Sequence, residues 1–263
     1  MKKLIKILPL FLVFVFACAH GNNTRKYSQE LQIYKNIEAT IVLDPGHGGK
    51  DSGAVGASGL QEKNLTLDIA KRIKSLINRI APKVKVLLTR STDIYVGLED
   101  RIKIANNANA QLFISIHINS SETNQSSGFE VYSLDVANNR HAEKLAAREN
   151  KSFLNEKNKV KFILADLRAN SNRKESDVLA KEILTGVGLQ MNKSRLSSNN
   201  NRGYNQALFH VLFVKMPAVL TELFFISNPN EERHLQKSHF RQSCAKGVAL
   251  GIIKYLKTKI RKA

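Results

Sequence analysis

The chain has 263 residues, 43% of them hydrophobic, which is material for one large domain or two small ones around a proper core. A formal net charge of +19 points to an anionic partner surface, but no zinc-finger spacing, RNP motif or long basic helix directs that charge to nucleic acid. Two cysteines exclude a disulfide framework.

Residues 1–19 read as a secretory signal. Lys2, Lys3 and Lys6 precede the apolar run 7–16, which is broken by Pro9 and is short for a membrane span. Two endings fit. Ala17 and Ala19 suit an ordinary cleavage site after Ala19, whereas Val15-Phe16-Ala17-Cys18 resembles a loose bacterial lipobox, ending the signal at 17 and making Cys18 the lipidated first residue. Either ending predicts an exported protein of the periplasm or cell envelope; the second adds a lipid anchor. Residues 20–38 are polar and read as a tether with a little helix at its end, and 39–259 as the folded domain.

The apolar run Thr40-Ile-Val-Leu predicts a buried strand, stopped by Asp44-Pro45-Gly46. His47 follows between glycines, at the carboxyl end of a strand, where α/β sheets keep their ligands. After a Gly-rich loop, Leu65, Ile69, Ile73, Leu76, Ile77 and Ile80 recur at three- and four-residue steps and predict a helix. Glu62 stands at its start, where the positive dipole end favours a carboxylate. A strand over 84–88 and a helix over 98–108 come next; Arg90 and Arg101 are candidates to hold a substrate carboxylate.

In the strand over 112–118, a period of two puts Leu112, Ile114, Ile116 and Ile118 on one face and Phe113, Ser115 and His117 on the other. His117 precedes the polar loop Asn119-Ser120-Ser121, in which Asn119 is a further candidate for substrate binding. A fourth strand is predicted over 128–134, an interrupted basic helical stretch over 138–170 with a stripe of Val160, Ile163, Leu164 and Leu167, and a helix over 176–191. Residues 194–206, rich in Ser, Asn and Gly, read as a surface loop. The last strong strand starts at Pro217 and carries Glu222 inside an apolar run, where an unpaired carboxylate costs several kcal/mol (about 2–7) unless it is neutral, paired or near a metal. A final helix presents Phe240, Cys244, Val248, Ile252 and Leu256 at four-residue steps.

Two histidines, a helix-start glutamate and a strand glutamate resemble a catalytic zinc site, in which two imidazoles and a carboxylate leave a fourth position for water. The stretches Asp44-Pro-Gly-His-Gly-Gly, Gly59-Leu-Gln-Glu-Lys, Phe113-Ile-Ser-Ile-His-Ile-Asn and Pro217-Ala-Val-Leu-Thr-Glu-Leu-Phe-Phe-Ile-Ser-Asn-Pro resemble, in this order, the zinc-dependent N-acetylmuramoyl-L-alanine amidases of the amidase type 3 family. The resemblance runs from about Thr40 to Leu256. It implies a single α/β domain with a mixed central sheet flanked by helices, similar to the zinc exopeptidases. It implies one Zn2+ ion held by His47, Glu62 and His117, with Glu222 as the acid/base. The implied substrate is peptidoglycan, cut at the amide between N-acetylmuramic acid and L-alanine. Asp44 or a backbone carbonyl is expected to orient His47. Phe224 departs from the glycine of many relatives. Some relatives carry an inserted helix that blocks the zinc until an activator protein binds; residues 149–172 occupy that place, with Glu149 and Glu156 as candidate plugs. A peptidase acting on a peptide amide, and a wall-binding protein with a dead site, are the alternative readings.

Overall fold

The structure, a computed structural model, describes residues 32–151, 172–193 and 201–260. The stretch read as a signal with Cys18, most of the stretch read as a tether, Glu156 and the stripe over 160–167 lie outside the described residues. Residues 32–35 form the short helix expected at the end of the tether.

The strands are β1 (Ala39–Pro45), β2 (Val84–Leu88), β3 (Leu112–Asn119), β4 (Phe129–Leu134), β5 (Asn201–Ala207) and β6 (Ala218–Phe225). The helices are α1 (Glu62–Ile80), α2 (Leu98–Asn107), α3 (Arg140–Glu149), α4 (Arg173–Lys193), α5 (Pro229–Leu235) and α6 (Ser238–Ile260). The six strands make one mixed sheet in the order β2-β1-β3-β6-β4-β5. The first four are parallel; β4 runs antiparallel to β6, and β5 parallel to β4. No helix among the described residues is long and apolar enough to cross a membrane.

The period-two reading of β3 separates two cores. Leu112, Ile114, Ile116 and Ile118 join Ile41 and Leu43 in the layer under α1, α4 and α6. Phe113 joins Val42, Tyr132 and Leu220 in the opposite layer, with Ala105 of α2 and Ala142, Leu145 and Ala146 of α3. Both faces of β3 and β6 are buried, so these strands read as near-continuous apolar runs. In the first layer α4 and α6 meet backbone to backbone. A methyl group on Gly251 would lie 2.5 Å from the Ile183 Cα, so only glycine permits this approach.

Of the expected loop over 194–206, residues 194–200 lie outside the described residues, and 201–206 form with Ala207 the edge strand β5. Its first residues are exposed and it has no alternating apolar signal; pairing with β4 imposes the extended form. The β3–β6 register pairs His117 with Glu222 but Asn119 with Phe225, so β6 spends one extra residue in a bulge. Phe224 occupies the bulge with φ of 74°, and its ring packs 5.7 Å from that of Phe129 and 4.9 Å from that of Phe240. A backbone conformation that suits glycine is thus met in this chain by a buried aromatic side chain.

Candidate metal centre

The carboxyl ends of β1, β3 and β6 lie side by side, and α1 starts beside them. His47 leaves β1 in a left-handed conformation, φ 58°, which turns its ring back over the sheet. The His117 ring crosses the β1 turn so closely that a methyl on Gly46 would sit 2.4 Å from its Cε1; glycine is required there. The Glu62 carboxylate, 1% exposed, lies between the two rings. Its Oε2 accepts from the Ala54 N–H and stands 3.2 Å from His47 Nε2; its Oε1 accepts from the Ile118 N–H and stands 3.1 Å from His117 Nδ1.

A fourth side chain completes the cluster. Glu149, the last residue of α3, brings Oε2 to 3.4 Å from His47 Nε2 and 3.3 Å from His117 Nδ1. One atom each of His47, His117 and Glu149 lie within 4.8 Å of one another, a grouping able to hold a metal ion. Ligands about 2.0–2.1 Å from a tetrahedral zinc are about 3.3 Å apart, close to the observed separations. His47 Nε2 is buried without a hydrogen-bond partner, as a nitrogen kept for a metal would be.

Electrostatics favour a cation here. Burial alone would lower the His47 imidazole, but Glu62, Asp51 and Glu149 outweigh it and push it up to about 11. Burial would raise the Glu62 carboxyl, but His47 and His117 hold it well below the usual range. This field favours positive charge in the place where the ring nitrogens converge.

Glu222 is completely buried beside His117, its partner in the sheet register. Neither carboxylate oxygen has a hydrogen-bond partner. Burial, then Glu149 and Glu62, push its carboxyl well above the usual range.

The orienting partner of His47 is Asp51, whose Oδ2 accepts from Nδ1 at 2.9 Å and leaves Nε2 facing inward. Asp44 instead anchors the floor. It accepts from Thr89, Ser115 and Arg101 and does not reach His47. The arginines also differ from expectation. Arg90 donates to the carbonyls of Pro45, Gly46, Lys63 and Thr92, and Arg101 to those of Val96, Pro45 and His47 as well as to Asp44. Both are buried scaffolding for the loop that carries His47, with their donors consumed by the protein. Asn119 is likewise buried, donating to Glu130 and accepting from the Ser120 N–H. Asp51 gave no sequence signal, because its place depends on the left-handed turn at His47. Glu149 stood out only through the family resemblance.

The family described as N-acetylmuramoyl-L-alanine amidase matches residues 41–254. The chain belongs to the N-acetylmuramoyl-L-alanine amidase family. It is 36% identical over 225 residues to the N-acetylmuramoyl-L-alanine amidase AmiA of Escherichia coli strain K12, covering 82% of this chain and 75% of that one. To the sporulation-specific N-acetylmuramoyl-L-alanine amidase of Bacillus subtilis strain 168 it is 35% identical over 213 residues, 81% and 66% of the two chains. Among solved structures, the AmiC2 amidase of Nostoc punctiforme matches at 30% identity with a TM-score of 0.62, covering 83% of this chain and 97% of that one. The catalytic domain of the CwlV amidase from Bacillus (Paenibacillus) polymyxa var. colistinus matches at 34% identity with a TM-score of 0.60, covering 83% and 98%. The amidase family thus spans both cores and all four strand and helix ends that surround the metal centre.

Proposed function

We propose that the site hydrolyses the amide between the lactyl group of N-acetylmuramic acid and L-alanine in peptidoglycan, with His47, Glu62 and His117 holding one zinc ion and Glu222 carrying the proton. The observation that carries the reading is the convergence of His47 Nε2, His117 Nδ1 and the Glu62 carboxylate beside an unpartnered Glu222, in a chain of the amidase family. A bound zinc ion would supply Lewis-acid polarisation of the scissile carbonyl and lower the pKa of water. Asp51 holds the His47 ring so that Nε2 faces the centre. Glu222 takes a proton from the attacking water and delivers it to the leaving nitrogen of L-alanine. Its burial keeps bulk water from competing for that proton. Arg90 and Arg101 act through the backbone carbonyls they hold, and Asn119 through Glu130. Export places the enzyme at its substrate, either free after cleavage at Ala19 or tethered by lipid on Cys18. Incubating the purified protein with peptidoglycan, with and without a chelator, tests the reading: new L-alanine amino termini on intact stem peptides are expected, and only without the chelator. Cleavage inside the stem peptide instead would make it a peptidase; full cleavage after metal removal would remove zinc from the mechanism.

A second reading concerns Glu149. Its Oε2 lies within 3.4 Å of both histidine nitrogens, where it would compete with water for an ion held by them, which supports a self-blocked resting state. Arg148 braces it, bonding Glu149 Oε1 through Nε and the Ser120 carbonyl through Nη1. The body of α3 is packed into the core through Ala142, Leu145 and Ala146, so rotation of the Glu149 side chain is enough to open the corner. An activator protein that draws this carboxylate away is the partner such a device requires. Glu149→Ala is expected to raise the turnover of the isolated protein on peptidoglycan by tenfold or more, about 1.4 kcal/mol; equal or lower turnover would deny the plug.

A further inference from the structure

Beside the metal centre, and lined by none of its residues, a groove of about 1020 Å³ lies between the loop after β3 and α3. Its helix wall carries Arg140, Lys144 and Arg148 at four-residue intervals, with His141 beside them; its loop wall offers Ser120 and Glu122. Four-residue steps on a helix are about 6 Å apart, so the three cations form a stripe about 12 Å long. The stripe begins at the site, since Arg148 bonds both Glu149 and the Ser120 carbonyl, three residues beyond His117. It ends in exposed cations, because among the described residues Arg140 and Lys144 have no acidic partner. The groove is fixed in shape: His141 bonds the buried Glu130 at 2.8 Å, and the Asn139 side chain caps the helix on the Ala142 N–H.

Substrate chemistry decides what such a stripe would read. The acid of the sugar half, its lactyl carboxyl, is consumed in the scissile amide. The carboxylates sit on the peptide half, on glutamate and at the chain end. We propose that this groove is the stem-peptide subsite, with Arg140 and Lys144 recognising the carboxylates of the leaving peptide and the glycan directed to the opposite side of the metal centre. The assignment rests on the amidase reading and adds the direction in which substrate lies.

The test compares a soluble N-acetylmuramoyl tripeptide bearing free carboxylates with the same compound as carboxamides. Both are assayed on the protein carrying Glu149→Ala, with and without the double change Arg140→Gln/Lys144→Gln. The ratio of kcat/KM, acid over amide, is expected to fall about fivefold in the double variant, the size of two exposed charge pairs. Added salt is expected to shrink the ratio in the parent protein and leave it flat in the variant. Calorimetric titration with the free tripeptide reads the groove apart from cleavage: affinity falls with the double change. An unchanged ratio together with unchanged tripeptide affinity overturns the subsite. Absence of cleavage by a protein that still binds the tripeptide through Arg140 and Lys144 would instead reject the amidase reading.

Discussion

His47 holds a backbone conformation, φ 58°, that side chains other than glycine rarely adopt, and the arginines behind it show how that is sustained. Arg101 bonds the His47 carbonyl and Arg90 the Gly46 carbonyl, so two buried guanidinium groups clamp the turn from below. The Arg101 charge is balanced by Asp44 at 2.7 Å. Burial would raise the Asp44 carboxyl, but Arg101, Thr89 and Ser115 hold it below its ordinary value. A lowered carboxyl contributes stability that is full above its unfolded pKa, about 3.9, and is lost as pH falls through the folded value. Arg101→Leu, leaving Asp44 buried without its partner, is therefore expected to cost about 3–5 kcal/mol near neutral pH in urea unfolding. The deficit should narrow as pH falls from neutral, because burial raises the unpartnered Asp44 carboxyl of the variant and protonates it while Arg101 still holds that of the parent ionised. For Glu222 the expected change is chemical: Glu222→Gln keeps the metal by elemental analysis and loses cleavage by about 10²–10⁴-fold. Retained turnover would take the acid/base duty away from this residue. His47, His117 and Glu222 stood out in the sequence, because a polar group at a strand end or inside an apolar run contradicts its local pattern; Glu62, an ordinary acid for a helix start, stood out only through the family resemblance. Asp51 and the clamp were not, because an arginine bonded to main-chain carbonyls looks like any other arginine until the turn is formed.

At the scale of elements, strands and helices with a strong apolar period were readable almost to the residue: α1 begins at Glu62, β3 carries His117 near its carboxyl end, and β6 carries Glu222 inside its apolar run. Strand β5 was unreadable, since its extended form comes from the neighbour it pairs with and not from its own side chains. The bulge in β6 lies between these cases. The absent glycine marked the position, but only the φ of 74° explains it. Phe224→Gly would relieve about 1–2 kcal/mol of backbone strain and remove a ring from a site where such losses cost about 3–5 kcal/mol. A net destabilisation of about 1–4 kcal/mol is expected from denaturant midpoints; a gain in stability would mean that the ring contributes little and the bulge is held by the sheet alone.

Over the whole molecule, the period of two in β3 specified a two-faced sheet, and the family resemblance supplied its mixed direction. The reversal of β4 and β5 had no sequence signal of its own. The sheet brings together residues that are distant along the chain: His47 from β1, Glu62 from α1, His117 from β3 and Glu222 from β6. Helices such as α1 close through local contacts and form early, whereas parallel strand pairs must first overcome the entropy of long loops. For a site that holds zinc as proposed above, ion capture would report when these distant strands come together. During refolding, a fluorescent zinc indicator should lose its signal to the protein only when β1 and β3 are in register, well after far-ultraviolet circular dichroism has recorded the helices. A chelator would then drain the assembled state and leave the early helical one untouched.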